Sequence, residues 1–74
     1  MNTLAEMSQG DSAVVCELAS KDGIRRRLMD IGLIPGTKVE CVQKSPLGDP
    51  VAYLVRGTVI AIRYEDSLNI LIRL

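Results

Sequence analysis

The side chains that could perform chemistry in this sequence are two cysteines, nine carboxylates and a run of three arginines. Histidine is absent, which removes the usual general base near neutral pH and the commonest metal ligand. The glycines are scattered singly, so the sequence has no glycine-rich phosphate loop. The carboxylates form no pair that spacing alone would indicate. We therefore predict that the protein is not an enzyme, with no catalytic residues and no cofactor.

Cys16 and Cys41 each lie in a segment where apolar residues recur at every second position. One interpretation is a soft-metal or redox pair. The other is two buried thiols that behave as small hydrophobic side chains. Zinc needs four ligands, and no histidine or further cysteine could complete the set. We predict that both cysteines are buried and inessential, and that they form no metal site.

Arg25, Arg26 and Arg27 lie in the segment with the clearest helical periodicity. Three aliphatic residues at i, i+4 and i+7 form its apolar stripe, namely Ile24, Leu28 and Ile31. Arg25, Arg26 and Met29 point away from this stripe, and such a composition is typical of a contact patch. A solvated polar face, in which Asp22 pairs with Arg26, explains the same arginines equally well.

The ends of this helix are marked by residues that commonly cap helices. Ser20 is the predicted N-cap, because its hydroxyl can accept a bond from a free N–H of the first turn. Gly32 is predicted to end the helix in the left-handed conformation, and Pro35 follows soon after. Gly36 is predicted to lie in the turn that leads into the next strand.

Short segments rich in β-branched residues, separated by turn signals, predict a small all-β barrel around the helix. The predicted strands are residues 12–18, 38–44, 51–55, 59–63 and 69–74. One helical turn at residues 3–7 precedes them, with Thr3 and Glu6 at the spacing of a capping box. Closure of the barrel would hide the strand edges. We expect a single domain, residues 1–74, with one short helix after the first strand.

Acidic and basic residues balance, nine against nine. Proteins that hold nucleic acid by its phosphates usually carry a basic excess, so we expect no nucleic-acid partner. The first residues lack the basic start and apolar run of a signal peptide. No stretch approaches the roughly 18 apolar residues of a membrane helix. We expect a cytoplasmic protein without direct membrane insertion.

Two blocks of the sequence resemble the FeoA family. The first, residues 25–39, reads RRRLMDIGLIPGTKV, and the second begins with PLGDP at residues 46–50. The second block continues through Gly57 and the IAIR of residues 60–63 to Glu65, and residues 4–10 fit the family's start. The motif positions are Leu28, Gly32, Pro35, Gly36, Gly48, Pro50 and Gly57.

The resemblance implies an SH3-like five-stranded β-barrel and a role in ferrous iron uptake in prokaryotes. It also implies a partner, the membrane transporter FeoB, whose cytosolic part contains a G-protein domain. The expected action is binding to that part and modulation of transport or GTPase activity. The family is often described as metal-binding. This sequence offers no ligand set, so the resemblance implies at most weak transition-metal binding.

A second interpretation is a metal-binding or metal-sensing protein that uses Cys16, Cys41 and carboxylates. Similar SH3-like domains occur at the C-terminal end of iron-dependent repressors. There they are tethered to a helix-turn-helix module, which this sequence lacks.

With no catalytic group or metal cluster predicted, function is expected to reside in surface shape and charge. The candidate partner-binding residues are Arg25, Arg26, Met29, Leu47 and Asp49. Arginine offers a planar fork that binds carboxylates, and methionine adapts to an apolar partner. Two prolines stiffen the turn that carries Leu47 and Asp49, which lowers the entropy lost on binding. The sequence leaves open whether the protein also self-associates.

Overall fold

An antiparallel sheet of six strands forms the framework of the protein in the computed structural model, which describes residues 2–74. The strands are β1 (Asn2–Thr3), β2 (Ser12–Leu18), β3 (Lys38–Lys44), β4 (Val51–Val55), β5 (Thr58–Ile62) and β6 (Ile70–Arg73). The helices are α1 (Asp22–Asp30), α2 (Tyr64–Ser67) and a 3₁₀ turn (Leu4–Glu6). Neighbouring strands follow the order β1-β6-β2-β3-β4-β5.

The predicted small β fold with one short helix is confirmed, and β2, β3 and β4 have the predicted bounds. The additional strand β1 pairs with β6, where Asn2 lies opposite Ile72, so α1 follows the second strand of the chain rather than the first. The sheet order also has two ends, β1 and β5. The expectation that closure hides the strand edges is therefore wrong for β5, which has a hydrogen-bonded neighbour on one side only.

The core is almost entirely aliphatic, as the scarcity of aromatic residues requires. Its largest fully buried side chains are Tyr53, Leu4, Met7, Leu33, Ile70, Ile72, Val15, Val39, Val55 and Cys41. Seven of them lie in β2, β3, β4 and β6, and the other three, Leu4, Met7 and Leu33, lie in the 3₁₀ turn and in loops. Strand β5 contributes the buried Ile62. Burial of such aliphatic side chains stabilises the fold by about 1.5–3 kcal/mol each.

Strand β2 contains a bulge, because its register with β6 shifts between Val15 and Glu17. The residue at the bulge is Cys16, which is half-buried rather than buried. The prediction that Cys16 is buried is wrong for this reason. Val14 is 42% exposed, whereas Leu18, beyond the bulge, is buried. The extra residue switches the strand from one alternation to the other.

The helix starts were predicted with mixed success. The capping box is confirmed, since the backbone N–H of Thr3 donates to Oε2 of Glu6 at 2.7 Å. The N-cap of α1 is Lys21, not Ser20, and the side chain of Lys21 makes no capping hydrogen bond. The hydroxyl oxygen of Ser20 is instead buried without a hydrogen-bond partner.

Neither α-helix within residues 2–74 has the length and apolar character needed to cross a bilayer.

The C-terminal end of α1 is a Schellman motif. The N–H of Gly32 donates to the carbonyl of Met29, and the N–H of Leu33 donates to the carbonyl of Leu28, both at 3.0 Å. Gly32 has φ +110°, which confirms the predicted left-handed residue, and Gly36 has φ +93° in the following turn. Leu28 and Leu33 are both buried, which is the apolar contact that commonly accompanies this motif.

The buried face of α1 differs from the predicted stripe. Leu28 is buried, but Ile24 is 36% exposed and Ile31 is 42% exposed. Met29 instead packs against the core. The buried face of α1 therefore runs through Leu28 and Met29 and not through Ile24 and Ile31.

A two-residue turn, Arg56–Gly57, joins β4 to β5. Arg56 has φ +51° and Gly57 has φ +82°, which is the pattern of a type I′ turn. Val55 and Thr58 are the first paired residues beyond the turn. The predicted strands 51–55 and 59–63 leave three residues between them, so β5 begins one residue earlier than predicted. A non-glycine residue occupies the first left-handed position of the turn.

Candidate interaction surface

The outward side of α1 carries the predicted arginines. Arg25 and Arg26 are exposed and line a shallow depression of about 450 Å³ together with Asp22, Met29 and Asp30. All five residues belong to α1, so this depression is a feature of one helix and not a cleft between elements. Its mixture of charges can bind polar and acidic groups of a partner. A depression on a single helix is too open to enclose a small molecule.

Met29 has a different place from the predicted one. It was expected beside Arg25 on the outer face, yet it is half-buried and packs against the core. Part of its side chain still lines the depression. Met29 therefore helps to hold α1 against the core. Truncating its side chain would disturb the position of the arginines as well as any contact of Met29 with a partner.

Within residues 2–74 the arginines of α1 form no ion pair, although Asp22 and Asp30 line the same depression. The ion pairs found within residues 2–74 both involve Arg63, which lies 3.3 Å from Glu65 and 3.1 Å from Asp66. The Asp22–Arg26 pair that would make the helix face an ordinary solvated surface is not formed. Arg25 and Arg26 consequently present free guanidinium groups to an incoming partner.

The turn at residues 46–50 is held to α2 and not to α1. A carboxylate oxygen of Asp49 accepts a hydrogen bond from the backbone N–H of Tyr64 at 2.9 Å. Asp49 therefore serves as the cap of α2, whose own N-cap residue, Arg63, makes no side-chain capping bond. Leu47 is 94% exposed. Of the two candidates on this turn, Leu47 is free for binding and Asp49 is engaged in holding the fold.

The predicted binding residues thus fall into two separate groups. Arg25, Arg26 and Met29 share the depression on α1, which no residue of the 46–50 turn lines. Leu47 and Asp49 lie on the turn beside α2. We therefore treat them as two candidate surfaces.

A groove that the sequence did not indicate lies between α1 and the β5–α2 corner. It has a volume of about 400 Å³ and is lined by Arg27, Leu28, Ile31, Ala61, Ile62, Arg63 and Asp66. Its polar wall is the Arg63 cluster, in which a hydrogen bond to Asp66 and then the charges of Asp66 and Glu65 raise the pKa of Arg63. In the sequence, the three-residue spacing of Arg63 and Asp66 was the available signal for this cluster. That spacing alone indicates a local ion pair and not a groove.

The cysteines show little of the character of metal ligands. Cys41 is fully buried, as predicted, and burial raises the pKa of its thiol. The charge of Lys44 lowers this pKa by a smaller amount, and the charge of Asp11 raises it further. A thiol that stays protonated is a poor ligand. Cys16 lies in the bulge, where its sulfur is 3.8 Å from the carbonyl oxygen of Val14. Over residues 2–74, no three side chains among His, Cys, Asp and Glu come together as a metal site would require.

Comparison with known proteins places these features in context. The FeoA domain family matches residues 2–74. An Fe(2+) transport protein A/Fe(2+) transporter FeoB fusion protein of Porphyromonas gingivalis (strain ATCC BAA-308 / W83) is 32% identical over 71 residues. That match includes 96% of this chain but only 8% of the fusion protein, so the chain spans a small part of this relative.

Solved structures of similar sequence have the same fold. The FeoA protein of Chlorobium tepidum is 34% identical, with a TM-score of 0.94 over 99% of this chain and 70% of its own. The zinc-complexed FeoA of Stenotrophomonas maltophilia, described as a prokaryotic SH3 domain protein, is 32% identical, with a TM-score of 0.86 over 97% of this chain and 89% of its own.

A manganese-dependent transcriptional repressor also has this fold. Its TM-score is 0.84 over 99% of this chain and 41% of the repressor, at 13% identity. Identity at that level shows a shared fold alone. It gives no independent support for a metal-sensing role, for which the described residues offer no ligand set.

Proposed function

This chain belongs to the FeoA domain family, and we propose that it is an accessory protein of ferrous iron uptake that binds the cytosolic G-protein part of a FeoB-type transporter. Binding would modulate the transport or the GTPase activity of that transporter. The protein would act in the cytoplasm, by contact and without catalysis of its own.

The observation that carries this proposal is the fusion relative. In that protein one polypeptide joins transport protein A to the transporter FeoB. Covalent joining keeps two modules at a high effective concentration, which favours even a weak contact between them. Two separate chains of the same kinds would make that contact by diffusion, and their affinity would depend on their surfaces.

The surface of this chain supports a contact role. Arg25 and Arg26 present guanidinium groups without carboxylate partners within residues 2–74, and Leu47 is almost fully exposed. Arginine is enriched at the centres of protein interfaces, where it pairs with carboxylates of the partner. We propose the α1 depression as the first contact, with Leu47 as a second and separate candidate.

The test is a binding titration against the purified cytosolic part of the FeoB-type transporter from the same organism, together with its GTPase rate. Arg25→Ala combined with Arg26→Ala should weaken binding at least about tenfold, because truncated hot-spot residues commonly have effects of this size. The matched control is Lys38→Ala combined with Arg73→Ala, which removes the same charge from exposed strand positions.

The outcomes separate the surface from the function. Equal affinity for the double variant and the wild type would exclude the α1 depression as the contact. Equal weakening by the control would mean that net charge, not this surface, governs binding. If the wild type neither binds the transporter nor changes its GTPase rate, the proposed function is wrong.

A further inference from the structure

Strand β5 is an unprotected edge of the sheet. The other edge, β1, has only two residues, and short edges are one way in which proteins avoid unwanted strand pairing. β5 has five residues, Thr58–Ile62, with no charged residue and no proline. The two register shifts of the sheet lie in β2 and β3, so no bulge twists this edge away.

The exposed groups of this edge can be assigned from the hairpin. The two-residue turn makes Val55–Thr58 a hydrogen-bonded pair, and such pairs alternate along an antiparallel ladder. Ile60 and Ile62 therefore bond to β4 through their backbones. The N–H and C=O groups of Val59 and Ala61 point to the open side, where the described residues provide no strand to receive them.

We propose that this edge pairs with the same edge of a second copy of the chain, antiparallel and with Ile60 on the two-fold axis. In this register Val59 lies opposite Ala61 of the other copy, and each of the two Val59–Ala61 pairs exchanges two hydrogen bonds. Every outward-pointing backbone group of Val59 and Ala61 is then satisfied. The contact is isologous, so it closes after two copies and does not propagate.

Side chains and charges fit this occupant. Val59 is 58% exposed and Ala61 is exposed, and on the outer face they pack against each other across the interface. The strand carries no charge, and the net charge of the chain is zero, so two copies do not repel. Arg63, just beyond the strand, lies opposite Gly57 of the other copy and is already paired with Glu65 and Asp66. Ile31, 42% exposed, lines a groove with Ala61 and adds apolar surface beside the edge.

The test is sedimentation equilibrium of the whole chain. Two short strands form a small interface, so we expect weak association, with the average mass rising toward that of a dimer between about 10 μM and 1 mM. Val59→Lys adds charge to the edge, and Val59→Pro removes an N–H that does not bond to β4. Both should weaken association at least tenfold. The control, Leu47→Lys, adds the same charge on an exposed turn and should have no effect.

The register has its own test, performed with Cys16 replaced by Ala. Val59→Cys chains mixed with Ala61→Cys chains should form disulfide-linked heterodimers under mild oxidation, while each variant alone should not. Directly opposed strand residues lie within the Cα separation of a disulfide, and diagonal ones do not. Melting curves confirm that each variant is folded.

A wild type that stays monomeric at 1 mM overturns the proposal, as does a dimer that is insensitive to both Val59 variants. A monomeric wild type whose Val59 variants lose transporter binding would mean that a transporter segment, and not a second copy, occupies the edge. The proposal does not rest on the proposed function, because the titration against the transporter is a separate measurement.

Discussion

The hydroxyl of Tyr53 donates a hydrogen bond to the carbonyl oxygen of Leu4, 3.2 Å away and 49 positions earlier in the chain. Both residues are fully buried. This bond joins the 3₁₀ turn to the centre of β4 and gives the buried carbonyl of Leu4 a second donor besides the N–H of Met7, which is also 3.2 Å away. The N-terminal segment is thus held to the core by a specific polar contact as well as by the burial of Leu4 and Met7.

Replacing Tyr53 by Phe should test this contact. The ring remains, and the carbonyl of Leu4 keeps the bond from the N–H of Met7, so the variant loses one of two hydrogen bonds at this oxygen, which destabilises by about 0.5–1.5 kcal/mol. The free energy of unfolding in urea gives the measurement. Tyr64→Phe is the control, because Tyr64 is 50% exposed, and it should change stability by less than about 0.5 kcal/mol. Equal effects of the two variants would contradict the assigned role.

Stability should fall at alkaline pH. Burial, followed by the neighbouring Cys41, raises the pKa of Tyr53 from 10.0 to about 12, and burial also raises the pKa of the Cys41 thiol. Between the unfolded and folded pKa values the unfolded chain releases protons that the folded protein keeps. For Tyr53 the stability present below pH 10 is therefore lost between about pH 10 and 12, by roughly 1.4 kcal/mol per pH unit.

Urea unfolding at several pH values would measure this loss. In Tyr53→Phe the decline between pH 10 and 12 should be shallower, because only the Cys41 contribution and the exposed groups remain. An identical pH dependence in the variant and the wild type would show that Tyr53 is not the group responsible.

Gly32→Ala should destabilise more than Gly36→Ala. Both glycines have positive φ, and a Cβ in that conformation costs about 1–2 kcal/mol. At Gly32 the added Cβ would also lie 3.0 Å from Cδ of Arg56 and 3.4 Å from Cγ1 of Val55, whereas at Gly36 nothing lies within 4 Å. Thermal or urea unfolding of both variants provides the comparison. In an Arg56→Ala background the difference should shrink, and its persistence would exclude the Arg56 contact as the cause.

Asp49→Ala should destabilise the protein by about 0.5–2 kcal/mol, the usual range for loss of a cap. The lost interaction is the hydrogen bond to the N–H of Tyr64, across fifteen positions. Leu47→Ala, two residues away and 94% exposed, is the matched control and should leave the melting midpoint unchanged. If only the Leu47 variant were destabilised, the turn would be held by packing and not by the cap.

Leu28→Ala should destabilise by about 2–5 kcal/mol, because it removes a buried side chain and leaves a cavity. Met29→Ala should have a smaller but measurable effect, since Met29 is half-buried against the core. The combination of Arg25→Ala and Arg26→Ala should leave stability nearly unchanged. A thermal melt of each variant ranks their effects on stability. If Met29→Ala left the melting midpoint unchanged, Met29 would not contribute to the core.

Local patterns in the sequence predicted much of this fold. The bounds of β2, β3 and β4 follow from alternation and turn residues, and Gly32 and Gly36 follow from the rule that glycine takes left-handed positions. The bulge at Cys16 was missed because an extra residue in a strand depends on the register of β6, which lies more than fifty residues later.

The binding surface was less predictable for the same reason. Helical periodicity placed Met29 outside, but Met29 packs against a core that is built mainly from strands far away in the sequence. Spacing along the chain could not show that Asp49 caps α2, since the two partners meet only in the folded protein. The exposure of Arg25, Arg26 and Leu47 agrees with the predicted contact role, and that role stays a prediction until binding is measured.

Strand β1 pairs with β6, so that Asn2 lies opposite Ile72 and Thr3 lies opposite Leu71. The first and the last strand of the chain are therefore neighbours. Any polypeptide joined before β1 or after β6 would leave from the same point on the surface. An attached segment would therefore meet the domain at the same site, whether it was joined at the N-terminal or the C-terminal end. Fusion at either end would therefore leave the same surfaces of the domain uncovered. Those surfaces, including α1 and the 46–50 turn, would remain accessible to a partner.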